Sequence, residues 1–514
     1  MFLHAMHEDH MLMAIKSNIV ANYISFVYVG AIGVIVTPLL YHELGSAGFG
    51  LIGFYSILQA WFVLLDFGLS AALSRMCARF RGGAVSDAEI ISVFGLIQKV
   101  FIFVGISGAL VLLALSHLIA SRWFGLHGGD SEEVSSSIAL MGFVIGLRWL
   151  SGLYRGVLNG FEKQVWVSGF GVIVATLRFP VAYLMIRFMS QDAPGFFCFQ
   201  LVISCAEVII LLRKSRGELP GGPVAKGAPV ALKGLLSFSA SVFIIGAINT
   251  ALMQLDKLVL SKKIGLSEFG KFSLVMTLVG VVGMVSGPIA SALIPALSRV
   301  HAEGRSYSFY ATYSKYWQFC SILVGTIAVM LVSNSYSVLN FWANDAKLAA
   351  EFSLPMQFYV IGNSAYALAS YVHYVQFASG DLSLQLRYNI LFAVTYIPIM
   401  IAAVFLYGVN GAAFAWAVFS VCGFVFITWA VHRKFFRTNI LSWYRRYLLG
   451  SLALMAVVAI IISRFVGVSG GRLQVFFELA FATVAVFMFG LVAPKNLRRK
   501  FRGIRIHGLP HFWR

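Results

Sequence analysis

The chain has 514 residues, 59% of them hydrophobic and 11% charged, and its mean hydropathy is +0.85. A soluble domain carries about 25% charged residues, so soluble enzymes, disordered chains and fibrous repeats are excluded and a polytopic membrane protein remains. The formal net charge of +19, from 39 Lys and Arg against 20 Asp and Glu, is unusual for so apolar a chain and has to be placed.

The N-terminal stretch MFLHAMHEDH lacks the basic region and cleavage site of a signal peptide. The first apolar segment is therefore expected to be an uncleaved anchor. A membrane span needs about 20 apolar residues. Fourteen stretches meet that length: 17–41, 48–74, 90–120, 134–160, 164–190, 194–212, 234–261, 268–297, 310–333, 352–378, 384–407, 409–431, 446–466 and 473–493. The longest polar connection, 213–233, holds Pro220, Gly221, Gly222 and Pro223 and reads as a linker. The expected organisation is an N-terminal lobe of six spans (1–213), a cytoplasmic linker (214–233), a C-terminal lobe of six (234–434), two additional spans (435–493) and a basic tail (494–514). Alternate loops on one side collect 24 Lys and Arg, and those opposite collect six. The positive-inside rule then puts both termini in the cytoplasm.

A fixed offset of 220 residues relates the two halves. Leu44-Gly45 matches Ile264-Gly265, Phe49-Gly50 matches Phe269-Gly270, Ala72-Leu73 matches Ala292-Leu293, Gly160 matches Gly380, and Arg213-Lys214 matches Arg433-Lys434. Six spans separate equivalent positions, so the copies share one orientation. That is a parallel repeat, with a substrate site expected between the halves. The run Gly265–Lys271 spells most of a phosphate-binding loop. Phe272 stands where the Mg²⁺-binding hydroxyl is required, and no strand precedes the run, so ATP binding is not expected. The five cysteines show no framework spacing and are expected to be packing residues without disulfides or metal.

Ionisable residues inside spans are costly, and they face a partner or a wet cavity. Arg148, Gly152, Arg155 and Asn159 follow each other at +4, +3 and +4, on one face of the fourth span. Counting ~1.5 Å per residue from the outer end puts Arg148 ~21 Å and Arg155 ~31 Å deep. Arg178 comes out near the midplane and Lys99 in the cytoplasmic half. These make a basic ladder, and Asp66 and Glu207 lie at depths from which they could pair with it. Four bases against two acids leave an excess of two, which points to an anionic ligand with phosphate-like chemistry, because Arg binds phosphate through two parallel hydrogen bonds. The competing reading is buried ion pairs or snorkelling side chains, which for Arg155 and Lys315 weighs at least as much. Asp66, Glu207 and Asp256 are the intramembrane acids available for ion coupling or gating. The polar stripes Asn18-Asn22-Ser25, Ser241-Asn249-Asp256 and Tyr366-Ser370-His373 either line a cavity or bond helix to helix.

The run Leu44-Gly45…Gly48-Phe49-Gly50…Trp61…Leu65-Asp66-Phe67-Gly68-Leu69-Ser70-Ala71-Ala72…Arg75 resembles the opening of bacterial O-antigen and polysaccharide flippases (Wzx-type). So do Gln254-Leu255-Asp256-Lys257…Lys263-Ile264-Gly265…Phe269-Gly270 and Tyr407-Gly408-Val409-Asn410-Gly411-Ala412-Ala413. Those flippases belong to the multidrug/oligosaccharidyl-lipid/polysaccharide (MOP) exporter superfamily. The resemblance implies an all-α membrane protein of two six-helix lobes in a V around a central cavity, and alternating access. It also implies an undecaprenyl-diphosphate-linked glycan as cargo in the bacterial inner membrane. No cofactor is expected, with H⁺ or Na⁺ coupling left open. Expected partners are the lipid-linked oligosaccharide, anionic membrane lipids and glycan-assembly membrane proteins, and no nucleic acid. The alternatives are a lipid II-type flippase, an ion-coupled multidrug exporter of the same fold, and, more remotely, a glycan polymerase or ligase. A polymerase needs a catalytic outer loop, for which SRWFGLHGGDSEE at 121–133 is the only sizeable candidate.

Overall fold

A computed structural model describes residues 2–189, 191–221, 232–463 and 472–501. Those residues are almost wholly helical, and no strand occurs among them. Within a bilayer a helix satisfies each backbone N–H and C=O from its own segment. In chain order the helices are α1 (Phe2–Val63), α2 (Leu69–Arg81), α3 (Asp87–Leu118), α4 (Gly129–Gly160), α5 (Gln164–Thr176), α6 (Ala182–Phe188), α7 (Ala193–Glu218) and α8 (Leu232–Lys263). They continue with α9 (Leu266–Ala302), α10 (Ser306–Ser333), α11 (Ser335–Ala343), α12 (Ala346–Ser379), α13 (Ser383–Val431), α14 (Ile440–Tyr444), α15 (Gly450–Ser463) and α16 (Arg472–Phe501).

Over their described residues, the fourteen expected spans fall on this helical framework, and nine helices among the described residues are long and apolar enough to cross a membrane. α1 and α13 each carry two, because each is broken at one glycine: Gly45 (φ 70°, ψ 172°) and Gly408 (φ 58°, ψ −135°). Both lie in backbone regions that favour glycine. The second expected span, 48–74, is interrupted. α1 ends at Val63, a short 3₁₀ turn covers Leu64–Asp66, and Phe67 (φ 48°) and Gly68 (φ 75°) take left-handed conformations before α2 begins. The expected span 164–190 is likewise divided by a π-helical turn, Leu177–Val181, that contains Pro180. The polar linker at 222–231 lies outside the described residues.

Helix starts follow capping chemistry. The Ser86 hydroxyl accepts from Glu89 N at 3.3 Å, Asp192 from Gly195 N at 3.1 Å, and Asp345 from Leu348 N at 2.9 Å. α12 ends at Gly380 with φ 75°.

The helices form two compact units, residues 1–278 with Ile401–Gly408, and Val279–Met400 with 409–514. In the first unit, α2, α3, α4 and α7 enclose a core around Leu73, Cys77, Ile97, Phe101, Trp149, Leu153 and Leu211. Phe101 stacks on Trp149 with centroids 4.0 Å apart. α3 and α4 approach so closely at Gly105 and Gly146 that a Cβ on Gly146 would lie 2.8 Å from the Gly105 carbonyl oxygen. Gly142 on α4 lies similarly close to α3, where a Cβ would meet the Ala109 carbonyl oxygen at 3.1 Å. In the second unit an aromatic cluster of Tyr313, Trp317, His432, Phe436 and Trp443 joins α10 to the end of α13 and to α14. Ile322, Met455, Ala459, Ala482 and Val486 continue that core between α10, α15 and α16.

The repeat is visible inside the first unit as a reciprocal contact. A Cβ on Gly50 would sit 2.3 Å from the Leu266 carbonyl oxygen, and one on Gly270 would sit 1.7 Å from that of Ser46. Gly270 is Gly50 advanced by 220, and Leu266 is the same advance from Ser46. The two equivalent helix starts therefore meet as a two-fold relation requires. The hydroxyls of Ser46 and Ser267 bond across the crossing at 2.5 Å. Gly270, the second glycine of the apparent phosphate loop, is thus a site of backbone contact.

Candidate functional site: a cluster of three arginines and one glutamate

Four elements of the first unit converge on one polar cluster. α4 supplies Arg148 and Arg155, which the +7 spacing sets two turns apart on one face. The π turn supplies Arg178. Proline cannot donate the backbone hydrogen bond that a helix needs, and the widened turn around Pro180 absorbs that loss. α7 supplies Gln200, Ser204 and Glu207, spaced +4 and +3 and therefore on one face. The second rod of α1 supplies Tyr55 and Gln59, one turn apart.

Glu207 is the centre of the cluster. Its Oε1 accepts from Arg155 Nη2 at 2.8 Å, and its Oε2 accepts from Arg178 Nη2 at 2.8 Å. Arg178 is buried and held on every side but one. Its Nη1 donates to Gln200 Oε1 at 2.8 Å, its Nη2 also donates to Ser204 Oγ at 2.9 Å, and Gln200 Nε2 donates back to the Arg178 carbonyl at 3.0 Å. The buried Arg178 Nε has no partner. Arg148 differs from both. Its Nη1 donates to Tyr55 Oη at 2.9 Å and to Gln59 Oε1 at 3.0 Å, both neutral. Arg148 and Arg155 are half-buried, whereas Arg178 and Glu207 are buried.

The cluster therefore holds three guanidinium groups around one carboxylate, a local surplus of two positive charges. The surplus expected from the sequence has the same size but partly different members. Lys99 is exposed on α3 among Leu96, Val100 and Phe103, away from the buried stripe Ile90, Phe94, Ile97 and Phe101. It does not join the arginines. Exposed apolar neighbours on the same face suit a lysine stem. Asn159 shares the helical face of Arg155 but is exposed at the last turn of α4. Asp66 is elsewhere too. Its Oδ1 accepts from Ser70 N and Ser70 Oγ, both at 3.0 Å, and so satisfies an N–H in the first turn of α2. Asp256 is buried and lies 3.1 Å from Lys257 Nζ.

Gln200, Ser204, Tyr55 and Gln59 are the members that sequence reasoning missed. The +4, +3 spacing of Gln200, Ser204 and Glu207, and the +4 spacing of Tyr55 and Gln59, were the available signals. The stripe Asn22-Ser25 proves to be a helix–helix seam. Asn22 Nδ2 donates to Gln164 Oε1 at 3.2 Å, Ser168 Oγ donates to Asn22 Oδ1 at 2.6 Å, and Ser25 Oγ donates to the Ser168 carbonyl at 3.1 Å. The side chains of Asn18 and Ser241 lie outside the described residues.

The second unit has a different polar interior. Gln376 Nε2 donates to Gln385 Oε1 at 3.1 Å, and Gln385 Nε2 donates to Asn389 Oδ1 at 2.9 Å, all three buried and neutral. Lys315 and Arg387 are exposed.

Among solved structures, the chain is similar to the lipid II flippase MurJ in its inward closed conformation. The match has a TM-score of 0.65 at 13% identity and covers 94% of this chain and 98% of that one. It is also similar to a multidrug resistance MATE family transporter of the MOP superfamily in its inward-facing conformation. There the TM-score is 0.61 at 14% identity, over 80% and 95% of the two chains. These likenesses show the fold alone, an all-helical one. A Yersinia pseudotuberculosis protein named for O-antigen export is 21% identical over 296 residues, 56% of this chain. The match spans 65% of that relative's length. The family model described as polysaccharide biosynthesis protein matches residues 15–301, more than half of the chain, and the chain belongs to that family.

Proposed function

We propose that the chain is a flippase and not an enzyme. It moves an undecaprenyl-diphosphate-linked oligosaccharide, an O-antigen or polysaccharide repeat unit, across the bacterial inner membrane by alternating access. The observation that carries this reading is the surplus of two positive charges among Arg148, Arg155, Arg178 and Glu207. A buried or half-buried cation without a counter-ion is costly among apolar helices. An anion removes the cost, and a diphosphate suits forked guanidinium groups. Family membership and the export relative point the same way. A cationic drug would meet repulsion at this cluster, which disfavours multidrug export. A lipid II-type cargo presents the same diphosphate. Orientation follows from the basic loops, which would face anionic lipid on the cytoplasmic side.

The test is complementation of a strain that lacks its own flippase. A charge-assisted hydrogen bond is worth about 1.5–3 kcal/mol, so Arg148→Ala and Arg178→Ala should each lower glycan export about tenfold or more at normal membrane levels. Lys99→Ala, on the outer face of α3, should export normally. Full export from both arginine variants overturns the assignment.

A further inference from the structure

Glu207 occupies the place that a ligand's anion would take. Each of its oxygens faces one guanidinium, Arg155 on one side and Arg178 on the other, both at 2.8 Å. Carboxylate and phosphate present guanidinium with the same pair of acceptor oxygens. The resting cluster is therefore partly neutralised from within, and the neutralisation is uneven. Arg178 is packed in by Gln200 and Ser204. Arg155 keeps 30% of its side chain exposed and bonds to Glu207. Arg148 bonds only to neutral acceptors, Tyr55 and Gln59.

We infer that Glu207 is a built-in competitor for the ligand's phosphate oxygens. This rests on the diphosphate reading above and adds the regulation of that site. An incoming diphosphate meets Arg148 first, because exchanging two neutral acceptors for an anion is favourable. It then takes Arg155 from Glu207, which remains bonded to Arg178. When the ligand leaves, Glu207 recaptures Arg155. The competitor lowers affinity so that cargo held by several arginines can still be released, which a carrier requires and a tight binder does not. Glu207 is thus a residue that sets affinity without touching the cargo.

The test measures binding of inorganic pyrophosphate to the purified full-length protein by titration calorimetry. Wild type, Glu207→Gln and Arg148→Ala are compared, together with Arg178→Gln and the double variant Arg178→Gln/Glu207→Gln. Removing the competitor frees one partly buried charge, so Glu207→Gln should bind pyrophosphate about tenfold more tightly than wild type. Arg148→Ala should lose most of the binding. The double variant has no ion pair left to break, so it remains informative where the single Glu207 variant fails to fold. It should bind several-fold more tightly than Arg178→Gln, in which Glu207 still holds Arg155. Binding by wild type that is matched or exceeded in Kd by Glu207→Gln, or a double variant no tighter than Arg178→Gln, overturns the role of Glu207 and leaves the diphosphate site standing. No pyrophosphate binding by wild type or any variant overturns the diphosphate site, and the inference with it.

Discussion

At the scale of residues, the chemistry of each ionisable group follows from its partners more than from its depth. Arg148 and Arg155 could be set on one face from their +7 spacing, and Glu207 could be matched to the basic ladder by its depth, because an acid inside a span must pair or cost energy. Lys99 could not. Counting residues gives height along a helix and says nothing of azimuth, and in a bilayer both faces of α3 are apolar, so the usual contrast between inner and outer stripe is absent. Asp66 shows another limit. It reads as an intramembrane acid only if 48–74 is one continuous helix, and the break at Phe67–Gly68 turns it into a partner for the start of α2. That role needs an acceptor oxygen and no charge. Asp66→Asn should therefore unfold in detergent at nearly the wild-type temperature and keep export, while Asp66→Ala should lose about 1 kcal/mol of stability. A stable Asp66→Asn protein without export would show that the charge itself is used.

At the scale of elements, glycine and proline positions explain where the sequence was informative. The repeat was legible because backbone contacts admit one residue type, and Gly50 and Gly270 retain it at the same offset. The break points of α1 and α13 were legible as junctions between adjacent spans. The π turn at Leu177–Val181 was not, because proline announces a kink without saying whether the chain answers with a bend or a wider turn. The crossing of the two repeats gives a paired prediction. Gly270→Ala places a Cβ on the Ser46 carbonyl, which backbone cannot yield cheaply, so folded yield should fall and stability should drop by about 1–3 kcal/mol or more. Gly265→Ala meets nothing within 4 Å and has an ordinary φ, so it should cost little. Size-exclusion profiles and thermal unfolding of the two variants compare them directly, and equal behaviour would contradict the reciprocal contact.

At the scale of the molecule, the net charge of +19 separates into parts with different physics. Most of it lies, by sequence, in the expected loops and the basic tail, where it would bear on orientation and on attraction to anionic lipid. Some of it ties helix ends together. Lys214 lies 3.0 Å and Lys163 3.2 Å from the Glu218 carboxylate in the first half. Lys434, the equivalent of Lys214, lies 2.5 Å from Asp381 in the second. Lys434 and the Ser383 hydroxyl hold the Asp381 carboxyl down at about 2, below its ordinary 3.8. A depressed folded value stabilises above the unfolded value and fades as pH falls through the window between about 4 and 2. The pair is exposed, so Asp381→Asn should cost less than about 1 kcal/mol at pH 7. The difference from wild type should shrink as pH falls from about 4 through 2 and vanish only below the folded value, and a gap that does not shrink over that window would rule out the ion pair as its source.

The remaining surplus is the one at Arg148, Arg155, Arg178 and Glu207, and the central claim rests on it. The most direct measurement is flipping of a fluorescently labelled undecaprenyl-diphosphate-linked sugar by the protein reconstituted in vesicles, beside the same sugar on a neutral lipid carrier. The account predicts transbilayer movement of the diphosphate-linked lipid that Arg148→Ala abolishes, with little movement of the neutral one. Equal movement of both lipids, or full activity in Arg148→Ala, would contradict it.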